Sequence, residues 1–213
     1  MRTPRFDVEA PFWRTMGRIG DIILLNALTL VACLPVVTAG AALTALYDGA
    51  RRLLAGEGGS VTALFFRSFR SNFRQATALW GIVAVAGVGV AASWWPDVPP
   101  LLVGLRVVLT AVYLLTFPFV WVLQARFVNT VPNTLRNAFV VAFGRPRWSL
   151  GVLAVHAGIL CLAVAVAIWL PQGLLLLLLL GYPLVVFAAT PLAERAIAPL
   201  LAQASQAGAT GVR

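Results

Sequence analysis

Residues 148–193 decide the fold of this chain, and they read WSLGVLAVHAGILCLAVAVAIWLPQGLLLLLLLGYPLVVFAATPLA. The stretch contains two apolar runs, 148–170 and 174–193, joined by a link of three residues. Each run has the roughly 20 residues that an α-helix needs to cross the hydrocarbon of a bilayer. Two earlier runs, 76–95 and 101–125, repeat the same layout. We therefore predict four full transmembrane spans arranged as two hairpins.

The composition supports a membrane protein. Apolar residues make up 61% of the 213 residues and charged residues 11%, whereas soluble domains average about 45–50% and about 25%. A soluble core could not cover this surplus, so we expect lipid to cover it. The formal charge of +9 comes entirely from arginine, because the chain has no lysine. We expect no nucleic-acid partner, since these arginines lie between the apolar runs.

The arginines predict the topology. Fifteen of the sixteen fall in clusters within 2–18, 51–74, 126–147 and 195–213, and cytoplasmic segments of membrane proteins carry the excess of basic residues. The clusters place segment 1–18, loop 48–75, link 126–147 and tail 194–213 inside. The links 96–100 and 171–173 lack arginine and are placed outside. We expect a multi-pass protein of the cytoplasmic membrane with both termini inside.

The first apolar region, 19–47, allows two interpretations. As a single span it would place the N-terminal arginines outside, against the positive-inside rule. Broken at Pro35 into two short helices, it returns the chain to the inner side. We favour this broken helical hairpin, re-entrant or barely spanning, because proline interrupts helices. The predicted fold class is thus an all-α, polytopic transmembrane bundle with four full spans, a broken N-terminal hairpin and interfacial amphipathic helices.

Several polar residues fall inside apolar segments and form a candidate intramembrane site. Broken helices build ion and anion sites in some transporters, but such residues also serve as hydrogen-bonding links between helices. We expect Thr38 to cap the second half of the hairpin, Asp48 to pair with Arg51 or Arg52, and His156 to bond Tyr182. Arg106 can extend toward the outer interface. The candidates are Asn26, Pro35, Thr38, Thr44, Tyr47, Asp48, Arg106, His156 and Tyr182.

Segment 60–75 has the pattern of an amphipathic helix. Phenylalanines occupy one side and arginines the other, and Ser60 is placed to cap its start. Such a helix lies in the lipid interface, where anionic headgroups contribute on the order of 1 kcal/mol per arginine. Docking to a cytoplasmic partner is the alternative. The candidate lipid or partner face consists of Phe65, Arg67, Phe69, Arg70, Phe73 and Arg74.

Several short motifs carry a resemblance to a known family. They are Gly20–Asp21, the run LPVVTAG at 34–40, ALY at 45–47, GEG at 56–58, Phe65–Phe66, NFRQA at 72–76, NAF at 137–139 and Arg145–Pro146. The chain resembles the YesL-like family of uncharacterised bacterial membrane proteins. The resemblance implies no activity and no catalytic residues. It implies an association with carbohydrate uptake, which makes a sugar transport system a candidate partner.

The function classes follow from what the chain offers. An enzyme needs convergent acid, base or nucleophilic groups, and here seven acidic residues are scattered and there is one histidine. We expect no catalysis, no cofactor and no metal. An accessory or scaffolding membrane protein is the favoured function, and a small-solute transporter or channel using the broken hairpin is the alternative. A water-lined cavity meeting Asn26, Thr38 and His156 would favour transport.

Overall fold

A computed structural model describes residues 11–57, 59–95 and 99–210, and within them it contains seven α-helices and no strand. The all-α prediction is confirmed. Five helices are long and apolar enough to cross a membrane, so the chain is a multi-pass membrane protein. The helices are α1 (Pro11–Cys33), α2 (Ala39–Leu54), α3 (Val61–Ala92), α4 (Pro100–Arg126), α5 (Val131–Gly144), α6 (Pro146–Trp169) and α7 (Leu174–Thr210).

The predicted break lies at Pro35. Helix α1 ends at Cys33, and a short 3-10 turn at Val36–Thr38 leads into α2. Proline lacks the amide hydrogen that a helix requires and disfavours helical geometry at the preceding residue. Thr38 lies at the N-cap position of α2, as expected, but its side chain forms no capping hydrogen bond. The Thr38 hydroxyl donates instead to the carbonyl oxygens of Ala32 and Pro35.

Helices α1 and α2 form an antiparallel hairpin. Leu25 and Gly49 lie at equal sequence distances on either side of Val37, and a Cβ on Gly49 would lie 2.8 Å from Leu25 Cδ1. The two helices together extend beyond the predicted hairpin, residues 19–47, at both ends. The basic segment before Ile19 continues α1 backward to Pro11, so this helix is long enough to span on its own.

Helix α2 occupies the centre of the bundle. Every residue from Ala39 to Ala50 is buried, and α1, α3, α4 and α7 all pack against it. Small residues allow this close packing, as in membrane helix pairs generally. A Cβ on Gly40 would overlap the carbonyl oxygen of Ala76 and lie 2.7 Å from Trp80 Cβ. Glycine is therefore required at this contact.

Helix α3 is continuous where the sequence suggested two elements. The predicted interfacial helix 60–75 and the predicted span 76–95 form one helix of 32 residues. Its length is about 48 Å, which exceeds the roughly 30 Å of hydrocarbon. Ser60 caps the start, since its side chain accepts a hydrogen bond from the Ala63 amide. No proline or glycine interrupts the chain between Ser60 and Trp80, so nothing ends the helix.

The remaining helices form further antiparallel pairs. Asn72 of α3 bonds Gln124 of α4, while Gly151 of α6 lies against Leu192 of α7. Helix α7 continues past the predicted end of its span at Ala193 and includes three prolines, Pro183, Pro191 and Pro199. Residues 1–10 of the predicted segment 1–18, Gly58, residues 96–98 of the predicted link 96–100 and residues 211–213 of the predicted tail lie outside the described residues.

Most described arginines gather at one end of the bundle, where α2 and α4 end and α3 begins. Arg51 and Arg52 end α2, and Arg126 ends α4. Arg126 Nη2 lies 3.7 Å from Glu194 Oε2, which brings α7 to the same end, and Arg145 Nη1 donates to the carbonyl oxygen of the adjacent Arg195 at 3.3 Å. Arg106 lies toward the opposite end of α4. We call the common end the arginine end.

Candidate functional site

Asp48 is a buried acid near the end of α2. Its carboxylate oxygen Oδ1 accepts hydrogen bonds from Arg51 Nη2 at 2.9 Å and from Arg52 Nε at 3.1 Å. Arg51 and Arg52 each lie about one helical turn after Asp48, which brings their side chains to the carboxylate. Asp48 itself is 7% exposed. The sequence-based pairing is thus found with both arginines at once.

Glu57 completes this cluster through the turn that ends α2. Gly56 has a φ of 71°, a conformation that glycine adopts without strain. The Glu57 amide donates to the Arg52 carbonyl oxygen at 3.0 Å, and the Gly56 amide donates to that of Leu53 at 3.2 Å. These two bonds form a Schellman motif. The turn places the Glu57 carboxylate 2.8 Å from Arg52 Nη1 and 3.4 Å from Arg51 Nη1.

The cluster changes the acidity of Arg52. Desolvation, the largest single effect, lowers the pKa of its guanidinium, but the carboxylates of Asp48 and Glu57 act together in the opposite direction. The net result is a pKa above the ordinary arginine value. Arg52 therefore stays charged and bound between the two acids.

A chain of amides lines the facing helices α3 and α4. Gln124 Nε2 donates to Asn72 Oδ1 at 3.1 Å, and Asn72 Nδ2 donates to the Ser68 carbonyl oxygen at 2.9 Å. Gln75 Nε2 donates to the carbonyl oxygen of Asn129 in the link after α4. Ser68, Asn72 and Gln75 share one side of α3 because they follow helical spacing.

These groups enclose a polar cavity of about 280 Å³ at the arginine end. Helix α2, helix α3, the end of α4 and the following link each contribute to it. We call it the arginine-end cavity. Its lining residues are Asp48, Arg52, Arg67, Ser68, Ser71, Asn72, Gln75, Gln124, Ala125, Arg126, Phe127 and Val128.

The arginine-end cavity is net positive. Three arginines and one aspartate line it, and the acids nearby are engaged by Arg51 and Arg52. Arg126 Nη2 lies 3.7 Å from Glu194 Oε2, a loose ion pair. Among the described residues, no carboxylate pairs with Arg67. An anion entering the cavity would meet one unpaired and one loosely paired guanidinium.

Most of the predicted intramembrane residues do not meet in one site. The hydroxyl of Thr44 donates to the Gly40 carbonyl oxygen of its own helix at 2.8 Å, and Asn26 is buried in α1. The hydroxyl of Tyr47 is buried without a hydrogen-bond partner among the described residues. Of the nine candidates, only Asp48 lines the arginine-end cavity. Asn26, Thr38 and His156 do not line it.

The expected hydrogen bond between His156 and Tyr182 is wrong. His156 Nδ1 lies 2.8 Å from the Val152 carbonyl oxygen, one turn earlier in α6. Its Nε2 is buried and has no partner among the described residues. The nearby carbonyl of the same helix satisfies Nδ1 without a neighbouring helix. Arg106 lies at the far end of α4, where its carbonyl accepts from the Thr110 hydroxyl at 2.8 Å.

Only some residues of the predicted lipid or partner face are exposed. Phe65 is 1% exposed and belongs to the protein core, because α3 packs this side against the bundle. Phe69 is half-buried and stacks on Phe65, with ring centroids 6.1 Å apart. The exposed members are Phe73, Arg67, Arg70 and Arg74. Phe65 therefore stabilises the position of α3 and does not contact lipid.

Most of the arginine-end cavity could not be recognised from the sequence. Asn72, Gln75 and Gln124 became site residues only once α3 and α4 were side by side. The polar stripe Ser68, Asn72 and Gln75, at positions i, i+4 and i+7, was the available signal. Within the described residues, no group of three or more His, Cys, Asp or Glu side chains could hold a metal ion.

A family model described as "Protein of unknown function, DUF624" matches residues 22–94. This stretch includes α2, α3 and the second half of α1. It therefore contains the wall of the arginine-end cavity from Asp48 to Gln75, but not the part that α4 contributes. No curated protein and no solved structure matches the chain.

Proposed function

We propose that the protein is a non-catalytic accessory or scaffolding component of the bacterial cytoplasmic membrane, associated with carbohydrate uptake. The observation that carries the proposal is the burial of α2 from Ala39 to Ala50, which fills the centre of the bundle with protein. The polar, charged space is instead confined to the arginine end. A molecule of this kind offers a binding surface and not a pathway.

The carbohydrate association is supported by the resemblance to the YesL-like family, whose motifs at 34–40, 45–47 and 72–76 lie within the matched residues 22–94. The orientation is supported by the arginines. Cytoplasmic segments hold the basic residues, so the arginine end faces the cytoplasm, together with both termini. A sugar transport system would then meet Arg67, Arg70 and Arg74 at the inner surface.

The experiment compares uptake of labelled sugars in cells with and without the gene. We expect deletion to lower uptake and the wild-type gene to restore it. A variant with Arg67→Gln, Arg70→Gln and Arg74→Gln should restore uptake poorly, because these exposed cations form the docking face. The matched control, Arg136→Gln with Arg147→Gln, removes two exposed cations outside α3 and should restore uptake fully.

A second measurement separates the accessory function from transport. The purified protein, reconstituted alone in vesicles, should not move labelled sugars or ions across the bilayer. Flux by the protein alone would contradict the accessory function and support the broken hairpin as part of a transport pathway. Unchanged uptake in the deletion strain, for every sugar tested, would contradict the carbohydrate association.

A further inference from the structure

The arginine-end cavity has the features of a ligand site as well as those of a surface. We propose that it binds a phosphate ester that carries a free hydroxyl group, such as a phosphoglycerol unit. The inference goes beyond the accessory function and does not depend on the carbohydrate association. It rests on the charge of the lining, on one buried acceptor without a donor, and on the size of the cavity.

The charge of the lining selects an anion. Asp48 and Glu57 are already bound by Arg51 and Arg52, which leaves Arg67 unpaired among the described residues and Arg126 loosely held. Guanidinium groups bind phosphate oxygens through charge-assisted, often bidentate hydrogen bonds. Two guanidinium groups that line the same cavity favour a phosphate over a neutral solute.

The orientation of the amides selects a hydroxyl donor. The Ser68 carbonyl can only accept, so the group that Asn72 directs at it must be the Nδ2 donor. Asn72 Oδ1 therefore faces Gln124, which must present its Nε2. Gln124 Oε1 is left without a donor among the described residues, in a side chain that is 3% exposed.

A buried acceptor without a donor is unfavourable, by about 1–3 kcal/mol in general. Because Gln124 lines the cavity, a small movement of its amide would bring Oε1 to a ligand hydroxyl beside the phosphate, which would supply the missing donor. The need for a negative charge and the need for a hydroxyl donor together exclude a bare inorganic anion as the best ligand. They favour a phosphorylated polyol.

The volume agrees with such a ligand. At about 280 Å³ the cavity is close to the lower end of the roughly 300–1,000 Å³ found for small-molecule sites. This suits a headgroup or a small phosphate ester. The same chemistry occurs in an anionic lipid, phosphatidylglycerol, and in free glycerol 3-phosphate, and the experiment must separate these sources.

The experiment uses the full chain purified in neutral detergent. One arm measures binding of glycerol 3-phosphate, propyl phosphate and inorganic phosphate by calorimetry. The other compares retention of phosphatidylglycerol and phosphatidylcholine by native mass spectrometry. We expect glycerol 3-phosphate or phosphatidylglycerol to bind about tenfold more tightly than the analogue lacking the hydroxyl or the net charge, because the first analogue leaves the buried Gln124 oxygen without a donor and the second lacks the attraction to the arginines.

Two variants tie the binding to the cavity. Arg67→Gln should weaken binding about tenfold, and because Arg67 is exposed the core is unaffected. Arg70→Gln, on the same helix but outside the lining, should leave binding unchanged. Gln124→Leu should remove the preference for glycerol 3-phosphate over propyl phosphate without abolishing phosphate binding.

The outcomes are distinct. Binding of the lipid alone identifies a headgroup as the ligand, and binding of glycerol 3-phosphate identifies a soluble one. Absence of binding in both arms would overturn the inference. Equal losses in Arg67→Gln and Arg70→Gln would also overturn it, since they would indicate general surface attraction.

Discussion

Replacing Gly40 by alanine is expected to destabilise the protein by about 3 kcal/mol, the upper end of the usual range for overpacking. The added methyl group would overlap the Ala76 carbonyl oxygen and lie 2.7 Å from Trp80 Cβ. The first of these atoms belongs to the backbone of α3, so relief requires α2 and α3 to separate. The measurement is the free energy of unfolding, obtained by titration with a denaturing detergent.

The matched control is Gly81→Ala. Gly81 also lies inside α3, but a Cβ there would meet nothing within 4 Å. Alanine favours helix over glycine by up to about 1 kcal/mol, so this variant should be neutral or slightly more stable. If both variants gave the same stability as the wild type, the close contact between α2 and α3 would be wrong.

Replacing Asp48 by asparagine is expected to destabilise the protein by about 2 kcal/mol. Removing one partner of a buried ion pair costs about 3–5 kcal/mol. The expected loss of stability is smaller here because the side chains of Arg51 and Arg52 are 18% and 25% exposed. Water therefore screens their charges in part. Asparagine keeps the shape of the side chain, so the change in the free energy of unfolding reports the lost charge. Detergent denaturation again measures the effect.

Glu57→Gln provides the control for Asp48, because both acids contact the same two arginines. The Glu57 side chain is 41% exposed, and exposed ion pairs contribute about 0–1 kcal/mol. We therefore expect a change below about 1 kcal/mol. A larger effect from Glu57→Gln than from Asp48→Asn would mean that the cluster is organised around the surface acid.

The sequence predicted the fold well where the signal is local. Proline disfavours a continuous helix, so a break near position 35 could be expected from that residue, although α7 contains three prolines without a break. The apolar lengths of 101–125 and 148–170 set the helices that became α4 and α6. The continuity of α3 was missed because the change from arginine-bearing to apolar sequence near Ala76 marks a change of surroundings, not of backbone conformation.

The candidate site was harder to predict, because it depends on which helices are neighbours. Asp48 and Gln124 line one cavity although they are distant in the sequence, and nothing local relates them. Phe65 was placed on the surface for the same reason: its helix is amphipathic, but the core of the bundle covers Phe65. Local pattern gives the face of a helix, whereas packing decides whether that face meets lipid or protein.

The central claim is that α1 and α2 form a hairpin that returns the chain to the arginine end, which we propose to be the cytoplasmic side. Single cysteines placed at four exposed positions, Val37, Trp95, Leu54 and Val128, test it in a chain whose Cys33 and Cys161 are replaced by alanine. A membrane-impermeant thiol reagent should label positions 37 and 95 in intact cells, and all four in broken cells. Labelling of position 54 in intact cells, with position 128 protected, would show that α2 does not return, and would contradict the claim.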